Sequence, residues 1–411
     1  QIACNVEAIH ASITSDSSWS GKRILFFVAV DWYFLSHRVD LASHFVSQGA
    51  EVHFVGSVSP ENFRRFIDLG IQVHKIDVDR HSLSFFALAI SLIGILRVFW
   101  ALKPEFIFSV SFKPIFLSSI LSLFFKGYFV NAVPGLGVAY RYSNAEHFGY
   151  SLEEDRAYRR VKKSFNYIRA LYFWRDSGLW LFQNKRDEQF VVQNLGISLR
   201  STRQVPGMGG EASRSKLTID KSFGVECRKP LEVVLPARMV WEKGIDTFFK
   251  IALVCYAKQL NARFTLCGRL EETGPKTIPL QWLNNASNLP NLNYIGNLPN
   301  LWSGETQFDV CLLPTRYGEG FPKVLMEAAL NGLCIITSSE IFRDSKVGDI
   351  DTGWFHFSPT DVLSITDLLE LLCSQPALLR RSKIKTSQSA SLNFDNSNVL
   401  ERIEHAYTGY R

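Results

Sequence analysis

The chain has 411 residues, more than one hydrophobic core comfortably serves, so two domains are expected. Its composition, 46% hydrophobic and 20% charged, is that of a globular protein and excludes a chain too polar to fold. The formal net charge of +6 suits a phosphate-bearing ligand or an anionic membrane surface, and equally an ordinary enzyme, so charge selects none of these.

Residues 1–21 are polar, Ser-rich and without an apolar run, and read as a flexible leader rather than a signal peptide. From Arg23 the pattern becomes regular. The uninterrupted apolar run over 24–30 predicts a strand buried on both faces. Leu35, Val39, Ala42 and Val46 recur at helical spacing up to Gly49, and further strands are predicted over 52–55 and 71–76, with a helix over 62–69 between them. The alternation continues through strands at 106–110, 128–133 and 179–183. Residues 199–228 carry Pro206, Gly207, Gly209 and Gly210 in a polar stretch, a candidate hinge. The alternation restarts with strand 231–235, helix 245–259 and strand 263–267, then strand 310–313, helix 323–331 and strand 334–337. Repeated βα units predict parallel, doubly wound sheets. The fold class is therefore α/β, with an N-terminal domain over 22–198, a second over 229–390 and a closing helix within 391–411.

The seven cysteines are scattered without C-x-x-C spacing, and most lie in apolar runs, which points to a reducing compartment without a disulfide framework or metal site. Leu83 to Leu96 is uncharged and strongly apolar but shorter than the roughly 20 residues a membrane span requires. Two readings remain for it, a helix buried on the sheet and an apolar helix partly inserted in the bilayer interface. Tyr158, Val161, Phe165, Ile168 and Tyr172 share one helical face while Arg159, Lys162, Lys163 and Arg169 lie largely off it, the profile either of an interfacial helix or of an ordinary surface helix.

The chemistry concentrates in the second half. After the strand ending at Leu313 comes Thr315-Arg316-Tyr317-Gly318-Glu319-Gly320-Phe321-Pro322 and then a helix carrying Glu327. A glycine-containing loop that opens a helix aims backbone N–H groups and a positive helix end at one point, an anion site. Glu319 and Glu327 flank that point and suit sugar hydroxyls rather than phosphate. After the strand over 231–235, Arg238 and Lys243-Gly244 supply two cations on a loop at the corresponding sheet edge, where they would neutralise a diphosphate.

These residues resemble the retaining family-4 glycosyltransferases of the GT-B fold, two Rossmann-like domains facing across a cleft. The run from Glu319 to Glu327 is similar to their Glu-x7-Glu motif, and Arg238 and Lys243 to their diphosphate-binding pair. In the first half, Val30 to Arg38, Ser111 to Pro114, Asn131 through Gly137, and Phe182-Gln183-Asn184 resemble a subgroup that builds bacterial surface polysaccharides and lipid-linked glycans. The resemblance implies that Glu327 holds the ribose, that Glu319 with Gly320, Phe321 and Pro322 contacts the donor sugar, and that Arg238 and Lys243 stabilise charge on the leaving diphosphate. Retention would follow a front-face route in which the leaving oxygen helps take the acceptor proton. Asp31, His37, Lys113, Gly135 and Gly137 would face the acceptor, although His37 is equally a structural residue at a helix start. Neither a metal nor a cofactor is implied. The implied partners are a nucleotide sugar, most often UDP-linked, a lipid-linked or glycan acceptor and the anionic inner face of the cytoplasmic membrane, with no nucleic acid.

The chain departs from the subgroup at Gly207-Met208-Gly209-Gly210-Glu211, where Gly-x-Gly-Val-Asp is usual, at Phe342-Arg343-Asp344 in place of Cys-Arg-Glu, and at Arg316, which stands three positions ahead of Glu319. These differences bear on donor specificity and acceptor geometry. Two rival functions share the fold, a nucleotide-sugar epimerase and a non-catalytic nucleotide-sugar binder.

Overall fold

The computed structural model describes residues 19–77, 85–135, 178–205, 229–271, 276–298, 301–302, 308–316, 320–339, 353–394 and 400–403. Glu319, Gly137, the basic aromatic stretch at 158–172, the glycine-rich part of the hinge and the Phe342-Arg343-Asp344 segment lie outside the described residues.

Two parallel sheets form. The first runs β3-β2-β1-β4-β5-β6-β7, from β1 (Arg23–Val30), β2 (Glu51–Ser57), β3 (Gln72–Lys75), β4 (Phe106–Val110), β5 (Tyr128–Val133), β6 (Leu179–Phe182) and β7 (Thr202–Gln204). The second runs β10-β9-β8-β11-β12-β13, from β8 (Leu231–Pro236), β9 (Ala262–Cys267), β10 (Leu292–Tyr294), β11 (Val310–Leu313), β12 (Cys334–Ser338) and β13 (Trp354–Phe357). All the strand pairings within both sheets are parallel.

The strands read as continuous apolar runs because helices cover both faces. In the first sheet Phe26, Phe54, Phe108 and Val130 point to one side, beneath α1 (Asp31–His37), α2 (Val39–Ser47) and α3 (Pro60–Asp68). Leu400 and Ile403 join that layer. Leu25, Phe27, Ile107 and Phe129 point to the other side, beneath α4 (Phe85–Leu102) and α5 (Phe112–Leu121), and Trp180 and Phe182 beneath α6 (Lys185–Leu195). The second sheet has its own core, shared with α7 (Ile245–Ala257), α8 (Leu280–Ala286), α9 (Lys323–Leu330), α10 (Val362–Ser374) and α11 (Pro376–Phe394).

α4 is buried on one side and exposed on the other. Ile95 and Phe99 are fully buried against the sheet, while Ile90, Ile93 and Trp100 are 69%, 52% and 75% exposed on the opposite side, with Arg97 exposed among them. No single helix among the described residues is long and apolar enough to cross a membrane. The α10–α11 pair passes by length and composition but bends by 106°. Its residues Ile365, Leu369, Leu372, Ala390 and Phe394 sit in the second core.

Candidate functional site

Each sheet reverses its strand order once, between β1 and β4 in the first and between β8 and β11 in the second. At such a reversal the connections leave in opposite directions and open a crevice at the carboxyl ends of the strands, the usual ligand position in open α/β sheets. Of the described sequence-predicted residues, Asp31, His37, Lys113, Arg238, Lys243, Gly320, Phe321, Pro322 and Glu327 fall on the connections leaving these four strands, and Gly135 follows the neighbouring β5.

In the second half, the loop after β8 carries Arg238 and Lys243, and the loop after β11 leads to Gly320 and α9. The two loops are stitched together. The Arg316 N–H donates to the Glu242 carbonyl at 2.8 Å and Thr315 Oγ1 donates to the same oxygen at 3.2 Å. The Arg316 guanidinium donates to the Trp241 carbonyl at 2.8 Å and pairs with Asp246. Gly244 closes the turn with φ +77°, where a β-carbon would also lie 2.1 Å from the Pro314 carbonyl oxygen. Only glycine meets both demands. The displaced Arg316 thus acts as a brace between the loops.

Arg238 is exposed and pairs with Glu271 at 3.1 Å. An ion pair in that setting is worth about 0–1 kcal/mol, weak enough for a diphosphate to take over the guanidinium. Lys243 ends a 3₁₀ turn one residue before α7, whose first turn is the positive end of the helix dipole. Glu327 lies on α9, where Oε2 accepts from Trp302 Nε1 at 3.2 Å and Oε1 pairs with Lys323 at 3.3 Å. Pro322 is the residue before α9, and Phe321 is buried against Trp354 and Phe394 with ring centroids 6.0 and 4.9 Å apart.

In the first half, both oxygens of Asp31 are occupied within the domain. Oδ2 accepts from the Ser59 N–H and hydroxyl, each at 2.8 Å, and from Asn62 Nδ2 at 3.0 Å, while Oδ1 accepts from the Trp32 N–H at 2.6 Å. Burial pushes its pKa up, but the hydrogen bonds from Ser59, Asn62 and Trp32 outweigh that and hold it below the usual carboxylate value. Asp31 therefore ties the loop after β1 to the start of α3. His37 stacks on Tyr33 with ring centroids 4.3 Å apart and planes nearly parallel, and its Nδ1–H faces the Tyr33 carbonyl at 3.2 Å. Burial, then the cations Arg38 and Lys323, lower its pKa to about 3, so the ring is neutral. Lys113 is buried on α5 and Gly135 follows β5.

The two halves meet at this site. Lys323 donates to the Ser36 carbonyl in α1, and the Gly320–Phe321 segment contacts Pro134, Gln183 and Asn184. Sequence reasoning quoted Gln183 and Asn184 only as part of a motif and gave Lys323 and Trp302 no role. The available signal was a pair of adjacent amides directly after a buried strand, at the same sheet edge as the other site loops.

The comparisons agree with this geometry. The family model for glycosyl transferases group 1 matches residues 220–389, and that for glycosyl transferase 4-like proteins matches residues 23–173. A relative from Campylobacter jejuni, N,N'-diacetylbacillosaminyl-diphospho-undecaprenol alpha-1,3-N-acetylgalactosaminyltransferase, is 25% identical over 91% of this chain and 97% of its own. Among solved structures, a glycosyltransferase from Rickettsia africae superposes with TM-score 0.70 at 13% identity, covering 95% of this chain and 98% of that one. HepE of Anabaena, crystallised with UDP, gives 0.70 at 13% identity, covering 94% of this chain and 100% of its own. Two switch-point crevices on separate parallel sheets define a GT-B architecture. The chain belongs to the family-4 type of glycosyltransferases.

Proposed function

We propose that the protein is a retaining, metal-independent glycosyltransferase that moves a hexose or N-acetylhexosamine from its UDP conjugate to a lipid-linked or growing glycan. The observation that carries this reading is the stitched pair of loops at the β8/β11 crevice. They bring Arg238, Lys243 and the start of α7 to the same sheet edge as α9 with Glu327. Two cations and a helix terminus supply the positive charge that a departing diphosphate requires, the largest electrostatic task in such a transfer. Glu327 is already oriented by Trp302 and Lys323 to accept ribose hydroxyls. Glu319, adjacent in sequence to Gly320, would meet the donor sugar.

The acceptor side is supported by the relative whose name specifies a diphospho-undecaprenol acceptor. It is also supported by the exposed apolar side of α4, which carries Arg97 and is followed directly by the exposed Lys103. Apolar side chains interleaved with cations suit the anionic inner face of a cytoplasmic membrane.

The test is a screen of UDP-sugars with a polyprenyl-diphosphate saccharide, following UDP release and the anomeric configuration of the product by NMR, with and without chelator. Transfer with retention, unaffected by chelator, is expected. Interconversion of UDP-sugars without acceptor would establish the epimerase instead, and tight UDP-sugar binding without turnover the binding protein.

A further inference from the structure

Gln183 and Asn184 follow β6 in the first half, and Gly320 and Phe321 precede α9 in the second. One peptide unit joins Gly320 to Phe321, and both of its polar ends are taken from across the cleft. Its N–H donates to Gln183 Oε1 at 2.8 Å, and its carbonyl accepts from Asn184 Nδ2 at 3.3 Å. The approach is as close as a chain allows. A β-carbon on Gly320 would stand 2.0 Å from the Pro134 carbonyl oxygen and 2.3 Å from Gln183 Oε1.

Asn184 is fixed before it meets this loop. It is buried, its Oδ1 accepts from the Asp187 N–H at 2.7 Å to cap α6, and its Nδ2 also reaches Asp187 Oδ2 at 3.1 Å. Phe321 is fixed from the other half by its ring, held between Trp354 and Phe394. The same peptide unit is therefore anchored by its ring to one core and by its N–H and C=O to the other. Hydrogen bonds fall off steeply beyond their normal lengths, so a small separation of the halves breaks both together.

We propose that Gln183 and Asn184 are positioning residues that clamp the Gly320–Phe321 peptide and hold the cleft closed. The residue before that peptide is Glu319, so the acceptor-side half sets the geometry of the sugar-binding loop. This consequence for the donor rests on the function proposed above; the clamp itself rests on the contacts alone.

Small-angle X-ray scattering of the full chain without ligand tests the clamp, with UDP titration calorimetry alongside. Gln183→Leu removes the acceptor for the Phe321 N–H. Asn184→Ser keeps a capping oxygen for α6 but is too short to reach Gly320. Gly320→Ala introduces a clash with the Pro134 carbonyl and with Gln183 Oε1 while leaving Asn184 in place. Each should increase the radius of gyration, whereas Gln183→Glu, which still offers an oxygen acceptor, should match the parent. UDP affinity should survive in the Gln183 and Asn184 variants, because the nucleotide-binding residues lie within the second half. Scattering curves that superpose on the parent in all variants would overturn the clamp, as would equal expansion in Gln183→Leu and Gln183→Glu. Expansion as expected, combined with no UDP binding even by the parent, would leave the clamp standing and remove the donor-site reading.

Discussion

The carbonyl oxygen of Pro314 and the α-carbon of Gly244 approach so closely that no side chain fits between them; a β-carbon on Gly244 would lie 2.1 Å from that oxygen. This contact joins the loop bearing Lys243 to the loop that leads into α9, in the gap between the two central strands of the second sheet. Gly244→Ala should therefore act twice. The left-handed backbone alone costs about 1–3 kcal/mol for a residue with a side chain. The clash adds to it by forcing the loops apart. Urea denaturation should show a lower midpoint, and UDP titration a weaker affinity. A variant with parental midpoint and affinity would mean that the two loops move independently.

The donor residues should separate by role. Glu327→Gln should weaken UDP affinity, since an amide offers one acceptor atom where a carboxylate offers two. Arg238→Ala and Lys243→Ala should lower turnover by about 10²–10³-fold, the usual cost of losing one group that stabilises developing charge. Glu319→Ala should impair sugar transfer and leave UDP affinity close to parental. Calorimetry and product release on the same four variants decide it. Equal loss of UDP affinity at both glutamates would contradict the division.

His37 gives the protein an acid sensitivity with a defined sign. Its folded pKa, about 3, lies below the ordinary value of 6.5, so the unfolded chain binds the proton first. The stability associated with the neutral ring is complete above pH 6.5 and falls progressively as pH drops from there toward 3. His53, which is buried beside His74 at 3.2 Å, adds to the same trend, because burial and the neighbouring imidazole lower its pKa to about 4. The urea midpoint should decrease between pH 7.5 and 5, and His37→Asn, which does not titrate, should flatten that dependence. Parallel pH profiles for parent and variant would exclude His37 as a contributor.

The exposed side of α4 should mediate membrane attachment. Flotation with anionic liposomes should weaken as salt rises, because each basic residue near the surface contributes about 1 kcal/mol through screened attraction. Ile93→Glu and Trp100→Glu should reduce flotation strongly while thermal stability stays near parental, since both side chains are largely exposed. Flotation indifferent to both substitutions would place attachment elsewhere.

Much of this architecture was legible because buried parallel strands are unusually explicit in sequence. The run over 24–30 and the Val310–Leu313 strand are apolar without interruption, and in the structure they are central strands covered on both faces. The three-residue edge strands β7 and β10 were not visible, since too few side chains exist there to establish a period, and their partners define them through backbone bonds. β13 was missed for a different reason. Trp354 is buried but Phe355, His356 and Phe357 are half-buried, so the stretch lacks a continuous apolar signature. α11 was hidden by polarity. Its fully buried positions are Ser382, Thr386, Ala390 and Phe394, and three of those four are small residues that a hydrophobic pattern does not reveal; Leu378 and Leu379 are only partly buried against the core.

The candidate site divided in the same way. The placement of Arg238, Lys243 and Glu327 at one sheet edge was readable because glycine turns and helix starts mark the segments that carry them. The engagement of Asp31 was not, because its partners Ser59 and Asn62 lie on another connection and meet it only once β1 and β2 pair. Lys323 likewise reads as an ordinary surface residue of a helix until folding brings the Ser36 carbonyl to it.

Among the described residues, these hydrogen bonds across the cleft address main-chain atoms: the Phe321 N–H, the Gly320 carbonyl and the Ser36 carbonyl. Main-chain partners are supplied by every residue type except where proline removes the N–H. Residues 317–319 can therefore drift, or be exchanged for those of a relative with another donor preference, while the interface stays intact, provided position 320 remains glycine. If Glu319 meets the donor sugar as proposed, joining the halves through backbone separates the evolution of sugar selectivity from the maintenance of assembly, and makes this loop a natural segment for grafting.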